Sequence, residues 1–370
     1  MNGVIDTPEL LSALLPRLRS ADSVAMDTEA DSLHSYPEKV CLIQFSLGDA
    51  DLLVDPLSGM DLAPLWDALA GRELLLHGAD YDLRMLHRTY RFIPDRIYDT
   101  MLAARLIGLR EFGLSALVGS LLGIQLDKGP QKANWSRRPL TERMLAYACN
   151  DTHHLRALRA VLDEKLVAAG RTDWHRQTCA RLIEDCTQID EKAREEAWRI
   201  KGSNRLSRKA LALVRALWSW REQEARGANQ PPFFVLSHDR LLAMAEDASR
   251  GDSIESLVPP RFSTRRRRGL AEAVSRALEL PEAEWPLPLR HQGFRLTQAQ
   301  KQRLEQLEAW RNRQADALGL EPSLIASRST MVALAHDWER ESAALMPWQR
   351  EVLARPTHRP THERGPSHGG

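Results

Sequence analysis

Hydrophobic residues near the start of the chain first follow a helical period and then gather in short continuous runs. Leucines recur every three or four positions across 6–20, where Thr7 supplies an N-cap. Apolar runs then occupy 24–29, 39–47 and 51–55, with polar turns between them. This pattern predicts one amphipathic helix followed by three strands, and consecutive strands joined by short turns are typical of an antiparallel meander.

The apolar pattern becomes mostly helical after residue 60. A helix is predicted at 62–70 and a fourth strand at 73–78. Further helical segments are predicted at about 80–90, 99–109, 113–122, 140–149 and 151–169. Strands that alternate with helices in this way predict an α/β domain over 1–170, with a mixed sheet flanked by helices.

The second half of the chain is predicted to be helical. Residues 171–205 form a helical connector that closes at a turn around Gly202. A first helical domain is predicted at 206–285, with an extended segment at 233–236 and helices at 207–224, 239–248 and 264–280.

A second helical domain is predicted at 290–354. Its first helix begins at Thr297, whose hydroxyl can cap the residues that follow. Residues 355–370 are rich in Pro, His and Gly, and this composition predicts a disordered tail.

Composition places the chain among ordinary globular proteins. Of its 370 residues, 43% are hydrophobic and 27% are charged, which suits two or three domains. No apolar run is long enough to span a membrane, and the first residues lack the segments of a signal peptide. The four cysteines are widely spaced and form no CxxC pair, which favours a reduced, cytoplasmic location.

The net charge of +1 conceals a difference between the two halves of the chain. Residues 1–170 carry 18 Lys and Arg against 23 Asp and Glu, and the remainder carries 33 against 27. An acidic metal site joined to a basic accessory region would have this distribution. A chance difference between two domains is the alternative.

Two carboxylates end the first predicted strand. Asp27 and Glu29 stand at positions i and i+2, so a strand directs both to one face while Thr28 points to the other. Neighbouring carboxylates repel each other unless a cation lies between them, and hard oxygen ligands suit Mg²⁺ or Mn²⁺. The pair predicts a metal site, with an ordinary acidic strand end as the alternative.

A second acidic pair follows the fourth predicted strand. His77 and Gly78 lead into a helix whose first turn contains Asp80 and Asp82. Strand-to-helix junctions lie at the ends of sheets, where functional sites gather. Acidic residues are also favoured in a first helical turn by the helix dipole, by about 0.3–1 kcal/mol. Both explanations stay open on the local sequence.

A tyrosine and an aspartate share one face of a later predicted helix. Tyr147 and Asp151 are separated by four positions, so a phenol hydroxyl and a carboxylate address the same small volume. The alternative is a half-buried tyrosine beside a surface aspartate.

The order of these motifs resembles the DEDD superfamily of exonucleases, in its tyrosine-bearing subclass. The matching residues are Asp27-x-Glu29, then Asp82 in a strand-to-helix turn, then Tyr147-x-x-x-Asp151. Other stretches are similar to ribonuclease D, namely 27–36, 41–44, 98–100, 126–128, Trp135 with 138–140, and 147–148. The resemblance covers essentially all of residues 1–170 and implies a ribonuclease H-like exonuclease fold.

The resemblance also implies the roles of individual residues. Two divalent metal ions, Mg²⁺ or Mn²⁺, would be bound by Asp27, Glu29, Asp82 and Asp151. Tyr147 would orient the attacking water. Asp82 matches the family motif because it directly precedes Leu83, and Asp80 is a second candidate. The candidate substrate-binding residues in this domain are Thr28, His77, Lys128 and Arg138.

The first predicted helical domain, 206–285, resembles the HRDC domain through Arg221-Glu222, 231–233 and the 241–245 helix. The position of 290–354 suggests a second, degenerate HRDC-like domain. The strongest basic run of the chain can hold RNA phosphates and comprises Arg265, Arg266, Arg267 and Arg268. The alternative for this run is a solvated helix start with exposed arginines. Arginine at a helix N-terminus also interacts unfavourably with the helix dipole.

Taken as a whole, the resemblance implies a monomeric 3′→5′ exoribonuclease that releases 5′-mononucleotides by two-metal-ion hydrolysis, with tRNA precursors as substrates. Two alternatives stay open. A DNA exonuclease could use the same fold, because the metal site recognises the phosphate rather than the sugar. No contact to the 2′-hydroxyl can be located in the sequence. A non-catalytic RNA-binding scaffold is disfavoured, because all five expected active-site residues are present.

Overall fold

The computed structural model describes residues 4–48, 50–127, 129–188, 195–288 and 296–354. The chain divides into two compact units, each assembled from three stretches of sequence. The first unit combines Met1–Asp95, Asp127–His154 and Ile183–Gly293. The second combines Arg96–Leu126, Leu155–Leu182 and Phe294–Gly370. The five residues of the predicted exonuclease motifs all belong to the first unit.

Six strands form in the part of the chain that the structure describes. They are β1 (Val4–Ile5), β2 (Ser23–Ala30), β3 (Val40–Leu47), β4 (Ala50–Val54), β5 (Glu73–Leu76) and β6 (Arg96–Asp99). Those of the first unit lie in the order β1-β4-β3-β2-β5. β3 runs antiparallel to both β2 and β4, which confirms the predicted meander, whereas the pairs β1–β4 and β2–β5 are parallel. The sheet is therefore mixed, as predicted.

The central strand, β3, packs against a helix of the same domain. Every residue of β3 is buried, which fits its nearly continuous apolar sequence. One cluster of buried residues joins this strand to a helix near the end of the domain, and it comprises Cys41, Leu42, Leu53, Trp135, Met144 and Ala148. Packing of this cluster fixes that helix against the sheet at the place where the predicted site residues lie.

The helices up to residue 187 are α1 (Pro8–Ser20), α2 (Ala63–Leu69), α3 (Asp80–Tyr90), α4 (Thr100–Leu106), α5 (Leu114–Leu117), α6 (Glu142–His153), α7 (Leu155–Ala168) and α8 (Thr172–Thr187). A short π-helix, Val118–Leu122, follows α5. As predicted, Thr7 caps α1, and its hydroxyl accepts a hydrogen bond from the backbone of Leu10.

Three details differ from the predicted elements. α6 continues through Asp151 to His153, because no glycine or proline interrupts it and Thr141 caps its start. β1 has two residues, too few for a strand pattern to show. β6 was missed because Asp99 was assigned to the following helix, whereas its carboxylate caps α4 by accepting from Met101 and Leu102.

The described residues from 195 onward are helical with short connecting loops, as predicted. The longer helices are Arg208–Gly227, His238–Arg250, Thr264–Leu278, Gln298–Leu318 and Arg328–His336. The prediction of an extended segment at 233–236 is wrong, because Pro232–Val235 forms a helical turn that begins with a proline. Thr297 caps its helix as predicted, in a capping box with Gln300. Residues 355–370, where a disordered tail was predicted, lie outside the described residues.

The loop that follows β2 is anchored on the helical part of the first unit. The hydroxyl of Tyr36 donates to Glu222, and the backbone N–H of Tyr36 donates to Asn229 over 3.2 Å. Its ring packs against the hydrophobic core formed by the helices that follow residue 207. The strand that carries Asp27 and Glu29 is thus tied at its end to the helical region.

Candidate active site

Strand β2 and helix α6 bring three carboxylates together. Asp27 and Glu29 lie on one face of β2, and Asp151 projects from α6. One carboxylate oxygen from each of the three residues lies within 4.8 Å of the others. Each residue is only partly exposed to solvent. The predicted i, i+2 pair therefore meets the predicted helical aspartate, although Glu29 and Asp151 are 122 positions apart in the sequence.

Asp82 occupies the neighbouring position at the start of α3. Its side chain is buried, and Oδ1 accepts hydrogen bonds from the backbone N–H of Thr28 over 3.1 Å and from the Thr28 hydroxyl over 2.5 Å. Burial raises the pKa values of Asp27, Glu29 and Asp151, and the nearby negative charge of Asp82 raises them further. Asp82 is thus the fourth carboxylate of the cluster.

Asp80 differs from Asp82 in both exposure and partners. Its side chain is 59% exposed and forms two hydrogen bonds with the guanidinium of Arg84, at 3.0 and 3.1 Å. This pairing holds the pKa of Asp80 below its ordinary value. Of the two aspartates in this helical turn, Asp82 is the one whose charge acts on the cluster, whereas Asp80 is neutralised at the surface.

Burial and mutual repulsion raise the pKa values of three of the four carboxyl groups, those of Asp27, Glu29 and Asp151. Burial and then repulsion from Asp151 and Asp82 raise the pKa of Glu29 from 4.5 to about 9. Burial also raises the pKa of Asp151 from 3.8 to about 7, and that of Asp27 lies well above its ordinary value for the same reasons. Crowded, partly buried carboxylates of this kind are a good fit for divalent cations that prefer oxygen ligands.

Tyr147 completes the group one helical turn before Asp151. Its hydroxyl donates a hydrogen bond to the Asp151 carboxylate, and this bond lowers the pKa of that carboxyl. Burial and the nearby negative charges raise the pKa of Tyr147 above its ordinary value of 10. The phenol therefore stays protonated at neutral pH and can donate or accept a hydrogen bond, but it cannot act as a strong base.

Helix α6 is held in place by a network of polar contacts, of which the Ser46–Thr152 contact is buried. The hydroxyl of Ser46 on β3 lies 2.7 Å from that of Thr152 and donates to Asp51 over 2.5 Å. His153 contacts the other oxygen of Asp51 over 2.8 Å. Because Thr152 and His153 directly follow Asp151, these bonds position the aspartate relative to the sheet. Sequence reasoning missed this network, which joins residues about 100 positions apart.

The loop before α6 covers Tyr147. A Cβ atom built on Gly129 would lie 1.7 Å from Cδ2 of the Tyr147 ring, so backbone and ring are in close contact. On another side the Trp135 ring lies 6.1 Å from the tyrosine ring. Sequence reasoning gave Gly129 no role. The available signal was that this glycine directly follows the stretch 126–128, which is similar to ribonuclease D.

Arg138, a predicted substrate-binding residue, forms hydrogen bonds with protein groups. Its guanidinium donates to both carboxylate oxygens of Asp55, each over 2.6 Å. It also donates to the backbone carbonyls of Cys41 and Trp135, each over 2.7 Å. These bonds fasten the loop before α6 to the sheet.

The other predicted substrate-binding residues lie in different settings. Thr28 is buried and hydrogen-bonded to Asp82. His77 is partly buried directly after β5, and Lys128 lies outside the described residues. The arginine run lies on the helix Thr264–Leu278, where Arg265 and Arg266 pair with Glu224, Arg267 pairs with Glu255, and Arg268 pairs with Glu272.

Gln44 is a further polar residue close to the site that the sequence gave no role. It lies in the middle of β3, directly opposite Asp27 in the strand register, and it is fully buried. The available signal was a lone amide inside an otherwise apolar strand sequence.

Two known protein families match parts of the chain. The family of 3′-5′ exonucleases matches residues 3–167, and the HRDC domain matches residues 210–253. The chain is thus a 3′-5′ exonuclease-type protein that carries an HRDC domain.

Individual relatives show which family of 3′-5′ exonucleases the chain belongs to. The chain is 33% identical to Ribonuclease D of Desulfotalea psychrophila over 89% of each sequence. It is also 33% identical to Ribonuclease D of Gluconacetobacter diazotrophicus, over 95% of this chain and 90% of the relative. The structure of Escherichia coli RNase D, an exoribonuclease involved in structured RNA processing, matches with a TM-score of 0.75 and 25% identity over 95% of this chain and 99% of that one. The chain belongs to the ribonuclease D family.

Proposed function

We propose that this protein is a divalent-metal-dependent 3′→5′ exoribonuclease that removes 5′-mononucleotides from RNA 3′ ends. The observation that carries the proposal is the cluster of Asp27, Glu29 and Asp151 within 4.8 Å, with Asp82 beside it and Tyr147 bonded to Asp151. Membership of the ribonuclease D family supports RNA as the substrate.

The four carboxylates would hold two divalent ions, Mg²⁺ or Mn²⁺. When bound, such ions lower the pKa of a coordinated water and stabilise the attacking and leaving oxygens of a phosphodiester. The high pKa values of Asp27, Glu29 and Asp151 mean that this site holds protons when it is empty of cations. These carboxyls must therefore ionise before they can bind a cation.

Tyr147 acts by positioning rather than by taking a proton. Its phenol stays protonated, and its bond to Asp151 fixes the direction of its hydroxyl. A hydroxyl held in this way can orient a water molecule toward the scissile phosphate. Replacing Tyr147 with Phe should lower kcat strongly and leave cation binding nearly unchanged, and equal kcat in the two proteins would remove this role.

Several finer assignments belong to the same proposal. Structured RNA precursors, with tRNA 3′ ends among them, are the proposed substrates, because the Escherichia coli relative is an exoribonuclease involved in structured RNA processing. Residues 206–285 would form the HRDC domain and 290–354 a second, degenerate one. The side chains of Arg265 and Arg268 would contact RNA, since both arginines are largely exposed and ion pairs of exposed arginines exchange readily for phosphates.

The state of the protein in the cell is also part of the proposal. The monomeric state and the cytoplasmic location stay predictions from the sequence. Among the described residues, no helix has the length and apolar character needed to cross a bilayer.

The test uses a tRNA with a 3′ extension and a DNA oligomer of the same 3′ sequence. Each is incubated with the wild-type protein, with Asp27→Asn and with Asp80→Asn, in Mg²⁺ and in EDTA. Stepwise shortening of the RNA that is lost in Asp27→Asn and in EDTA, but kept in Asp80→Asn, supports the proposal. Faster shortening of the DNA would favour a DNA exonuclease, and RNA binding without cleavage would favour a scaffold.

A further inference from the structure

One buried amide near the cluster has no visible reason to be polar. Gln44 is fully buried in β3, a strand whose residues are all buried. Neither Oε1 nor Nε2 of its side chain has a hydrogen-bond partner among the residues that the structure describes. Burial of an amide without hydrogen bonds is unfavourable, and an apolar side chain of the same length would fill this space without that cost.

The strand register shows what this amide faces. Gln44 is paired directly with Asp27 across the antiparallel strands β2 and β3. Residues paired in this way project to the same face of the sheet, with Cβ atoms about 4.5–5.5 Å apart. The amide therefore lies beside the Asp27 carboxylate, within the reach of a glutamine side chain.

The same face of β3 lies under helix α6. Ser46, two residues further along the strand, projects to the same face as Gln44 and contacts Thr152 of α6 over 2.7 Å. Asp151 directly precedes Thr152 on that helix. The buried amide thus lies between the two elements that supply three of the four carboxylates.

We propose that Gln44 is a positioning residue of the metal site, whose amide N–H donates to the Asp27 carboxylate when that carboxylate binds a cation. The inference rests on the proposed function, because it assigns a role at the same site. Groups that hydrogen-bond to metal-ligating carboxylates orient them and commonly change metal affinity by about 10–100-fold when they are removed. A donor on Asp27 would fix which of its oxygens faces the cation.

The test replaces the amide by an apolar side chain of similar length. Gln44→Met is compared with wild type and with Leu42→Met, which changes the residue paired with Glu29 on the same strand. Binding of Mn²⁺ and Mg²⁺ is measured by calorimetry, and the thermal midpoint is measured without metal.

We expect Gln44→Met to bind both ions about 10–100-fold more weakly. Its metal-free thermal midpoint should be equal to that of wild type or higher, because an unpaired buried amide has been removed. Leu42→Met should bind the ions as wild type does.

Other outcomes contradict the inference. An unchanged Kd in a folded Gln44→Met protein would overturn it. A variant that is destabilised or unfolded without metal would also overturn it, since the amide would then stabilise the fold itself. If the wild-type protein binds neither ion, the proposed metal site fails as well, which distinguishes that result from failure of the inference alone.

Discussion

The Thr28 hydroxyl lies 2.5 Å from Oδ1 of Asp82, and the Thr28 backbone N–H donates to the same oxygen. Two donors from one residue thereby hold the fourth carboxylate against the strand that carries the first two. This contact also gives the buried Thr28 hydroxyl a hydrogen-bond partner within the protein.

Thr28→Val should lower turnover because it removes one of these two donors and keeps the shape of the side chain. We expect kcat to fall by about tenfold or more, as for other groups that orient metal ligands. The matched control is Thr28→Ser, which retains the hydroxyl and should keep most of the activity. Equal kcat values for the Val and Ser variants would mean that the backbone donor alone positions Asp82.

Gly129 is expected to control the position of Tyr147. An alanine there would place its Cβ 1.7 Å from Cδ2 of the tyrosine ring, so the ring or the loop must move. Because a displacement of about 1 Å at a catalytic group can cost about 10²-fold in rate, we expect Gly129→Ala to lower kcat strongly. The affinity for Mn²⁺ should be unchanged. Steady-state kinetics measure kcat, and calorimetric titration measures the Mn²⁺ affinity.

The control for this substitution is Gly227→Ala, because a Cβ at Gly227 meets no atom within 4 Å. The control protein should have wild-type kcat. If Gly129→Ala also keeps wild-type kcat, the loop adapts to the extra carbon and does not position the tyrosine.

The sequence predicted the elements of the site better than the contacts between them. Apolar periodicity located β2 and α6, and i, i+2 and i, i+4 spacings identified Asp27 with Glu29 and Tyr147 with Asp151. These spacings are local properties of strands and helices, so they can be read from one chain.

The remaining contacts depend on tertiary packing. Thr28 and Asp82 are 54 positions apart, and Asp55 and Arg138 are 83 apart, so no local pattern joins them. The sequence predicted Thr28 and Arg138 as substrate-binding residues, and it showed neither of their protein partners. The structure supplies those partners within the protein.

Arg138 is expected to contribute to stability more than to RNA binding. Its guanidinium holds both oxygens of the buried Asp55, and removing it leaves that carboxylate without its cation. Since the Arg138 side chain is 30% exposed, solvent reduces the loss, and we expect Arg138→Ala to lower the free energy of unfolding by about 1.5–3 kcal/mol. Urea denaturation measures this change.

The neighbouring Arg137→Ala is the control for Arg138, because it removes the same charge from the same loop. Its unfolding free energy should match that of wild type, and KM for RNA should be similar in both variants. A stable Arg138→Ala protein with a raised KM would return Arg138 to the substrate-binding role predicted from the sequence.

Cation binding should depend strongly on pH between about 6 and 9. In the metal-free protein the pKa of Asp151 is about 7 and that of Glu29 about 9, against 3.8 and 4.5 ordinarily. A cation binds the ionised carboxyls, so its affinity should rise as pH increases through this range and its binding should release protons. Calorimetric Mn²⁺ titrations in buffers of different ionisation enthalpy measure both effects.

The same pKa shifts predict how pH changes the stability of the metal-free protein. Because the folded pKa values of Glu29 and Asp151 lie above the unfolded ones, the folded state binds more protons between about pH 4 and pH 9. Stability is then greatest below the unfolded pKa values and falls as pH rises through about 7 and 9. Thermal unfolding in EDTA should show this loss, and Glu29→Gln should reduce it. A pH-independent difference between wild type and Glu29→Gln would mean that Glu29 is already ionised in the empty site.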